Sequence, residues 1–99
     1  MAGFYFTNRA VADLNQIWEY TIEKWSERQA DKYYNELIKA CDKISRNRNT
    51  GKRYGKIVPD LFGFHVNRHI IFFRRIKSDN VEITRILHES MDLKNRILE

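Results

Sequence analysis

Ninety-nine residues, 42% hydrophobic and 13% aromatic, make one globular domain close to the smallest size that buries a core without staples. The single cysteine, Cys41, excludes a disulfide framework or thiolate metal site, and no basic leader or apolar run of about 18 residues is present, so the expected compartment is the reducing cytoplasm, away from membranes. The net charge of +5 is uneven: residues 1–42 carry five Lys/Arg against seven Asp/Glu, whereas residues 43–99 carry thirteen against six.

Phe4-Tyr5-Phe6 has the aromatic bias of a short strand. Thr7 then caps a predicted helix whose apolar positions, Val11, Leu14, Ile17, Trp18, Thr21, Ile22 and Trp25, recur at the helical period. Tyr20 falls off that stripe and is expected at the surface. Ser26, with Gln29 three residues later, has the form of a capping box that opens a second helix running to about Asn47. Its inward face is Ala30, Tyr33, Leu37, Ala40, Cys41 and Ile44, with Tyr34 and Ile38 at the margin. Almost no chain separates the two helices, so they form an antiparallel hairpin.

The stretch from Lys43 to Lys56 holds six basic residues (Lys43, Arg46, Arg48, Lys52, Arg53 and Lys56) and no acidic one. It suits an anionic partner, and it equally suits a solvated loop. Residues 61–66, 69–76 and 81–88 read as strands, joined by turns at Asn67-Arg68 and Lys77-Ser78-Asp79-Asn80. The order of strand, two helices and three-stranded meander predicts an α+β fold over residues 1–99, with the helical hairpin packed on an antiparallel sheet. Both faces of Ile70-Ile71-Phe72-Phe73 are apolar, and the hairpin can cover only one. The other face must meet the C-terminal tail, a second copy or another chain; the tail, with Met91, Leu93, Ile97 and Leu98, is short enough that a partner is expected to complete the burial.

No glycine cradle for phosphate, zinc-ligand spacing, nucleophile signature or cofactor motif is present. His65 and His69 lie across a turn and could face each other, which is weak support for a metal and fits ordinary polar sheet positions better. Arg74 and Arg85 stand at strand positions where apolar residues are expected, and His88 closes the last strand. An inward arginine needs a partner. That partner could be Glu82, Glu89 or Asp92 of this chain, or a carboxylate of another chain; an Arg–His set could also cleave RNA. No recognition helix or stacking platform is evident, so direct sequence-specific nucleic-acid binding is not expected.

Ala12-Asp13-Leu14 with Ile17-Trp18-Glu19-Tyr20-Thr21 resembles the first helix of ParE-type toxins in the RelE/ParE toxin superfamily. So do Trp25 with Gln29-Ala30-Asp31-Lys32-Tyr33, and Gly51 with Pro59-Asp60-Leu61. His69-Ile70-Ile71-Phe72-Phe73-Arg74 looks like the family's central strand, and Arg85-Ile86-Leu87-His88 with Met91-Asp92 like its C-terminal signature. The ordered set covers essentially the whole chain. The resemblance implies a RelE/ParE-like fold, a toxin of a type II toxin–antitoxin module, and neutralisation by a small ParD-like antitoxin. It further implies poisoning of DNA gyrase without catalysis; the alternative is a ribosome-dependent mRNA endonuclease like RelE. The absence of a tyrosine near His88 in the sequence, and the placing of Lys52, Arg53 and Lys56 in a loop, favour the gyrase class. The expected partner-binding residues are Trp18, Tyr20, Arg68, His69, Arg74, Arg85, His88, Met91 and Asp92, with Arg74 or Arg85 pairing an antitoxin carboxylate.

Overall fold

The computed structural model describes residues 3–99, in the order β1 (Phe4–Phe6), α1 (Asn8–Lys24), α2 (Glu27–Arg46), β2 (Lys52–Arg53), β3 (Phe62–Val66), β4 (His69–Arg75), β5 (Val81–His88) and α3 (Leu93–Leu98). Both helix starts form as the capping residues require: Thr7 Oγ1 accepts from the Ala10 amide at 3.1 Å, and Ser26 Oγ accepts from the Gln29 amide at 3.0 Å. Among the described residues, no helix is long and apolar enough to cross a membrane.

The strands make a single sheet in the order β1-β5-β4-β3-β2. The meander is antiparallel as expected, but β1 runs parallel to β5, so the sheet is mixed. Two elements differ from the sequence reading. Lys52–Arg53 adds a two-residue edge strand inside the basic connection, and Lys77–Asp79 is a 3₁₀ turn. Gly51, at φ 104°, makes the sharp entry to β2, a conformation that suits a residue without Cβ.

The α1 stripe is rotated from the expected one. Ala10, Asp13, Leu14 and Thr21 are buried, whereas Val11 is 45% exposed and Trp25, at the helix end, 75% exposed. An aspartate can take an inward position because a counter-charge waits for it in β5. The α2 face is close to the one read from periodicity: Ala30, Leu37, Ala40, Cys41 and Ile44 are buried, with Tyr33 packed beside them.

Strict alternation in β5 also fails, for a local reason. Phe72 opposes Arg85 and Phe73 opposes Ile83, so Thr84 is the extra residue of a β-bulge. The parity of inward positions switches there, and Val81, Ile83 and Ile86 all join Ile71 and Phe73 under the helices.

The second sheet face does not await a partner. Leu61, Ile70, Phe72 and Leu87 form their own buried cluster, closed by Tyr54 and Val58 of the β2–β3 connection and by Leu93 and Ile97 of α3. The expectation that another chain completes this face is overturned; Phe72 is fully buried within the chain. The tail succeeds despite its length because the connection shares the work.

Candidate functional site

β1 pairs β5 only from Val81 to Ile83, which leaves the later part of β5 without a strand on that side. Unpaired backbone there must find other partners. Asp13 of α1 supplies one, its Oδ2 accepting from the Ile86 amide at 3.0 Å. The same carboxylate takes a two-pronged contact from Arg85, Nε to Oδ2 at 2.8 Å and Nη2 to Oδ1 at 3.0 Å. Arg85 Nη1 donates to the Arg96 carbonyl at 2.6 Å and stands 3.5 Å from Glu99 Oε1. One guanidinium thus joins α1, β5 and α3. The Asp13 contact raises the Arg85 pKa, against the effect of burial.

Beyond Arg85, β4 and β5 bring His69 opposite His88, their rings 5.2 Å apart and edge-on. Tyr33 of α2 completes the group. Its hydroxyl donates to the Val66 carbonyl at 3.1 Å and lies 2.7 Å from His69 Nδ1. Because that hydroxyl has a single proton, the arrangement fits His69 with Nδ1–H as donor to Tyr33. The Ser90 amide donates to His88 Nδ1 at 3.1 Å, which assigns the other tautomer, Nε2–H, to neutral His88. Burial, then the neighbouring His88, push His69 down to about 4, although Glu89 opposes the shift. Burial raises Tyr33 to about 12. At neutral pH the pair therefore contains an uncharged His69 beside an intact phenol.

Asp13, Arg85, His69, His88 and Ser90 line a cleft of about 590 Å³ between α1 and the β5–α3 connection, whose walls include Gln16, Ile17, Tyr20, Leu87, Met91 and Arg96. A second hollow shares Tyr20, His69 and His88 and continues past Arg68 and Asn67 to Trp25 and Gln29. Together they make one groove along α1.

Of the nine residues expected from sequence, Tyr20, His69, Arg85, His88 and Met91 line the cleft, and Arg68 lies in its extension. Trp18 is elsewhere, its indole N–H donating to Asp31 across the helical hairpin at 3.3 Å. Asp92 caps α3 by accepting from the Asn95 amide. Arg74 is an exposed residue, not an inward one, and stands 3.6 Å from Glu82, one of the partners foreseen for it. Arg85 is inward as expected, but its partner is Asp13 and none of the three foreseen acids. His65 and His69 do not face each other: Val66 opposes His69, which places His65 on the other face of the strand. The residues that sequence reading missed are Asp13, Tyr33 and Ser90. Asp13 did leave a signal, since it sits between Ala10 and Leu14 on a helix whose opposite strand carries an inward arginine.

Over residues 4–93 the chain matches the family described as the ParE toxin of the type II toxin–antitoxin system parDE. Toxin ParE1 of Mycobacterium tuberculosis strain H37Rv is 30% identical over 88 residues, covering 89% of this chain and 90% of its own length. Toxin ParE1 of Caulobacter vibrioides is 30% identical over 94 residues, covering 95% and 96%. Toxin ParE of Escherichia coli is 26% identical over 99 residues, covering 100% and 96%. A solved structure of the chromosomal ParDE TA system from P. aeruginosa superposes with a TM-score of 0.74 at 21% identity, over 89% of this chain and 95% of the other, a likeness of fold.

Proposed function

The chain belongs to the ParE toxin family of type II toxin–antitoxin systems, and we propose that it poisons DNA gyrase without catalysing a reaction and is held inactive by a ParD-like antitoxin. Family membership over nearly the whole chain carries this reading. The cleft chemistry supports its non-catalytic part. General acid–base cleavage of RNA needs two proton-transfer groups flanking a phosphate, and a free cation to meet the developing charge. Here the two imidazoles pack against each other, and Arg85, the buried guanidinium of the cleft, is committed to Asp13 and the Arg96 carbonyl, while Arg68 and Arg96 are exposed.

The groove is the proposed antitoxin seat. Tyr20, Trp25 and Met91 are large, exposed hydrophobic side chains set along it, the kind of anchor that a disordered segment folds onto. A carboxylate on that segment would compete with Glu89, which stands 3.3 Å from Arg68, for that largely exposed guanidinium. Arg85 would act behind the surface, holding the groove wall in shape.

One observation favours the ribonuclease alternative: a neutral imidazole, His69, and a phenol, Tyr33, meet in the groove. The two readings separate cleanly. Purified protein added to gyrase and plasmid should accumulate cleaved DNA and abolish supercoiling, leaving translation untouched, and a cognate ParD-like protein should restore supercoiling. Arrested translation with mRNA cuts that His88→Ala abolishes would overturn the gyrase reading.

A further inference from the structure

The basic stretch that begins in the last turn of α2 takes no part in the groove. It lies at the opposite side of the sheet, around edge strand β2, three strands along from β5. Phe62 and Phe64 point to one face of β3, the face that also holds Phe73, and Phe62 stacks on Phe73 at 5.7 Å. Each ring carries a cation: Lys43 over Phe64 at 5.5 Å, Arg53 over Phe62 at 5.7 Å and Arg75 over Phe73 at 5.3 Å. Lys52 stands over Tyr54 at 5.9 Å, and Lys56 is exposed in the turn that follows.

These charges differ from ordinary surface lysines in two respects. The rings restrict where Lys43, Lys52 and Arg53 can swing, so less side-chain freedom is lost when they bind. Among the described residues, Lys43, Lys52, Arg53 and Lys56 also have no carboxylate within ion-pair distance, while the nearby Asp42 and Asp79 are taken by Arg46 and Arg48. The result is an organised, unneutralised positive edge.

We propose that this edge, through Lys43, Lys52, Arg53 and Lys56, binds the phosphate backbone of double-stranded DNA without sequence preference. A protein partner fits it poorly. Stable protein interfaces centre on apolar anchors, and the exposed large hydrophobics among the described residues (Tyr5, Val11, Tyr20, Trp25, Tyr34, Met91 and Leu98) all lie outside residues 43–60. Single strands fit poorly as well, because the rings are packed beneath the cations and offer no open face for a base to stack on. Two residues in an edge strand cannot read a groove, which leaves backbone contact. The choice of DNA over RNA rests on the gyrase reading.

The test is fluorescence anisotropy of the full chain with a short random-sequence DNA duplex, in the absence of gyrase. Four neutralised phosphates should give a plot of log affinity against log salt with a slope of about −3 to −4, close to a hundredfold loss between about 50 and 200 mM. Replacing Lys43, Lys52, Arg53 and Lys56 by Gln should flatten the slope. The same charge removed elsewhere, by Gln at Arg9, Arg28, Lys32 and Lys94, should leave most of it. If the quadruple patch variant fails to fold, the reversal of two exposed residues, Lys52→Glu with Lys56→Glu, should lower DNA affinity at least tenfold. Equal losses in patch and control variants, an unchanged slope, or tighter binding of an RNA duplex or polyglutamate would each overturn the proposal. Because gyrase is left out, loss of DNA binding and loss of gyrase poisoning are separate results.

Discussion

Arg85 and Asp13 pair in a place where neither would be tolerated alone. Breaking a buried pair by removing one member typically costs about 3–5 kcal/mol, because the survivor keeps its desolvation penalty. Arg85→Met is expected to cost that much in urea unfolding, and Asp13→Leu at least as much, since the Ile86 amide also loses its acceptor. The double variant should recover most of the loss and retain a deficit of about 1–3 kcal/mol from that orphaned N–H. Additive single costs would show that the pair is not coupled.

His69 makes a second prediction, in the opposite sense to a salt-bridged histidine. The unfolded chain takes up a proton at this residue near its ordinary value of 6.5, whereas the folded chain does so only near 4. Protonation therefore favours unfolding. This residue's contribution to stability is intact above about pH 6.5, declines as pH falls through that value and is fully lost below about 4. Partial exposure of the ring reduces the effect to about 1–2 kcal/mol. Thermal melts from about pH 7 to about pH 4.5 should show this decline, and His69→Gln should flatten it. A variant with the same pH slope as the parent would assign the decline to other groups.

At the level of elements, adjacent arginines at the end of β4 have unlike roles. Arg75 lies on the helix face with Ile71 and Phe73, and its guanidinium donates to the carbonyls of Ile44, Asn47 and Thr50 at 3.1, 2.9 and 3.2 Å. It closes the C-terminal end of α2, where carbonyls lack intrahelical partners. Arg74 points the other way, to an exposed contact with Glu82. Arg75→Met should cost about 1–3 kcal/mol and speed amide exchange near the end of α2, whereas Arg74→Met should stay within about 0.5 kcal/mol. Equal effects would refute the assignment.

The sequence pattern placed Arg74 at an inward position and left Arg75 unremarked, because both faces of β4 read as equally in need of cover. The helices read well, since their 3.6-residue period and the caps at Thr7 and Ser26 are local signals. The meander was legible for the same reason. The bulge at Thr84 was not: no glycine or proline marks it, and it follows from fitting Thr84 against Thr7, whose hydroxyl donates to the Thr84 carbonyl at 2.8 Å. The partner of β1 was equally hidden, because a three-residue strand with no adjoining turn carries no information about its neighbour. For the groove, Tyr20, His69, Arg85, His88 and Met91 were visible as oddities of pattern, while Tyr33 was absorbed into the α2 core stripe.

For the molecule as a whole, the second sheet face decides whether the chain is complete without a partner. α3 is only six residues long, yet Leu93 and Ile97 seal Ile70, Phe72 and Leu87, and Arg85 holds the tail through the Arg96 carbonyl. Burying one such side chain contributes about 1.5–3 kcal/mol, and ordering the segment offsets part of the gain. A chain ending at Asp92 should thus lose about 2–4 kcal/mol, bind a hydrophobic dye and self-associate in light scattering. It also loses Arg96 from the groove wall while keeping the β2 edge intact. Antitoxin affinity should therefore fall while the salt-dependent affinity for DNA persists. Leu93→Ser with Ile97→Ser, which keeps the backbone and the Arg85 contact, should reproduce the dye binding with a smaller effect on the groove. A truncated chain that stays monomeric and equally stable would mean that the β2–β3 connection alone seals the face.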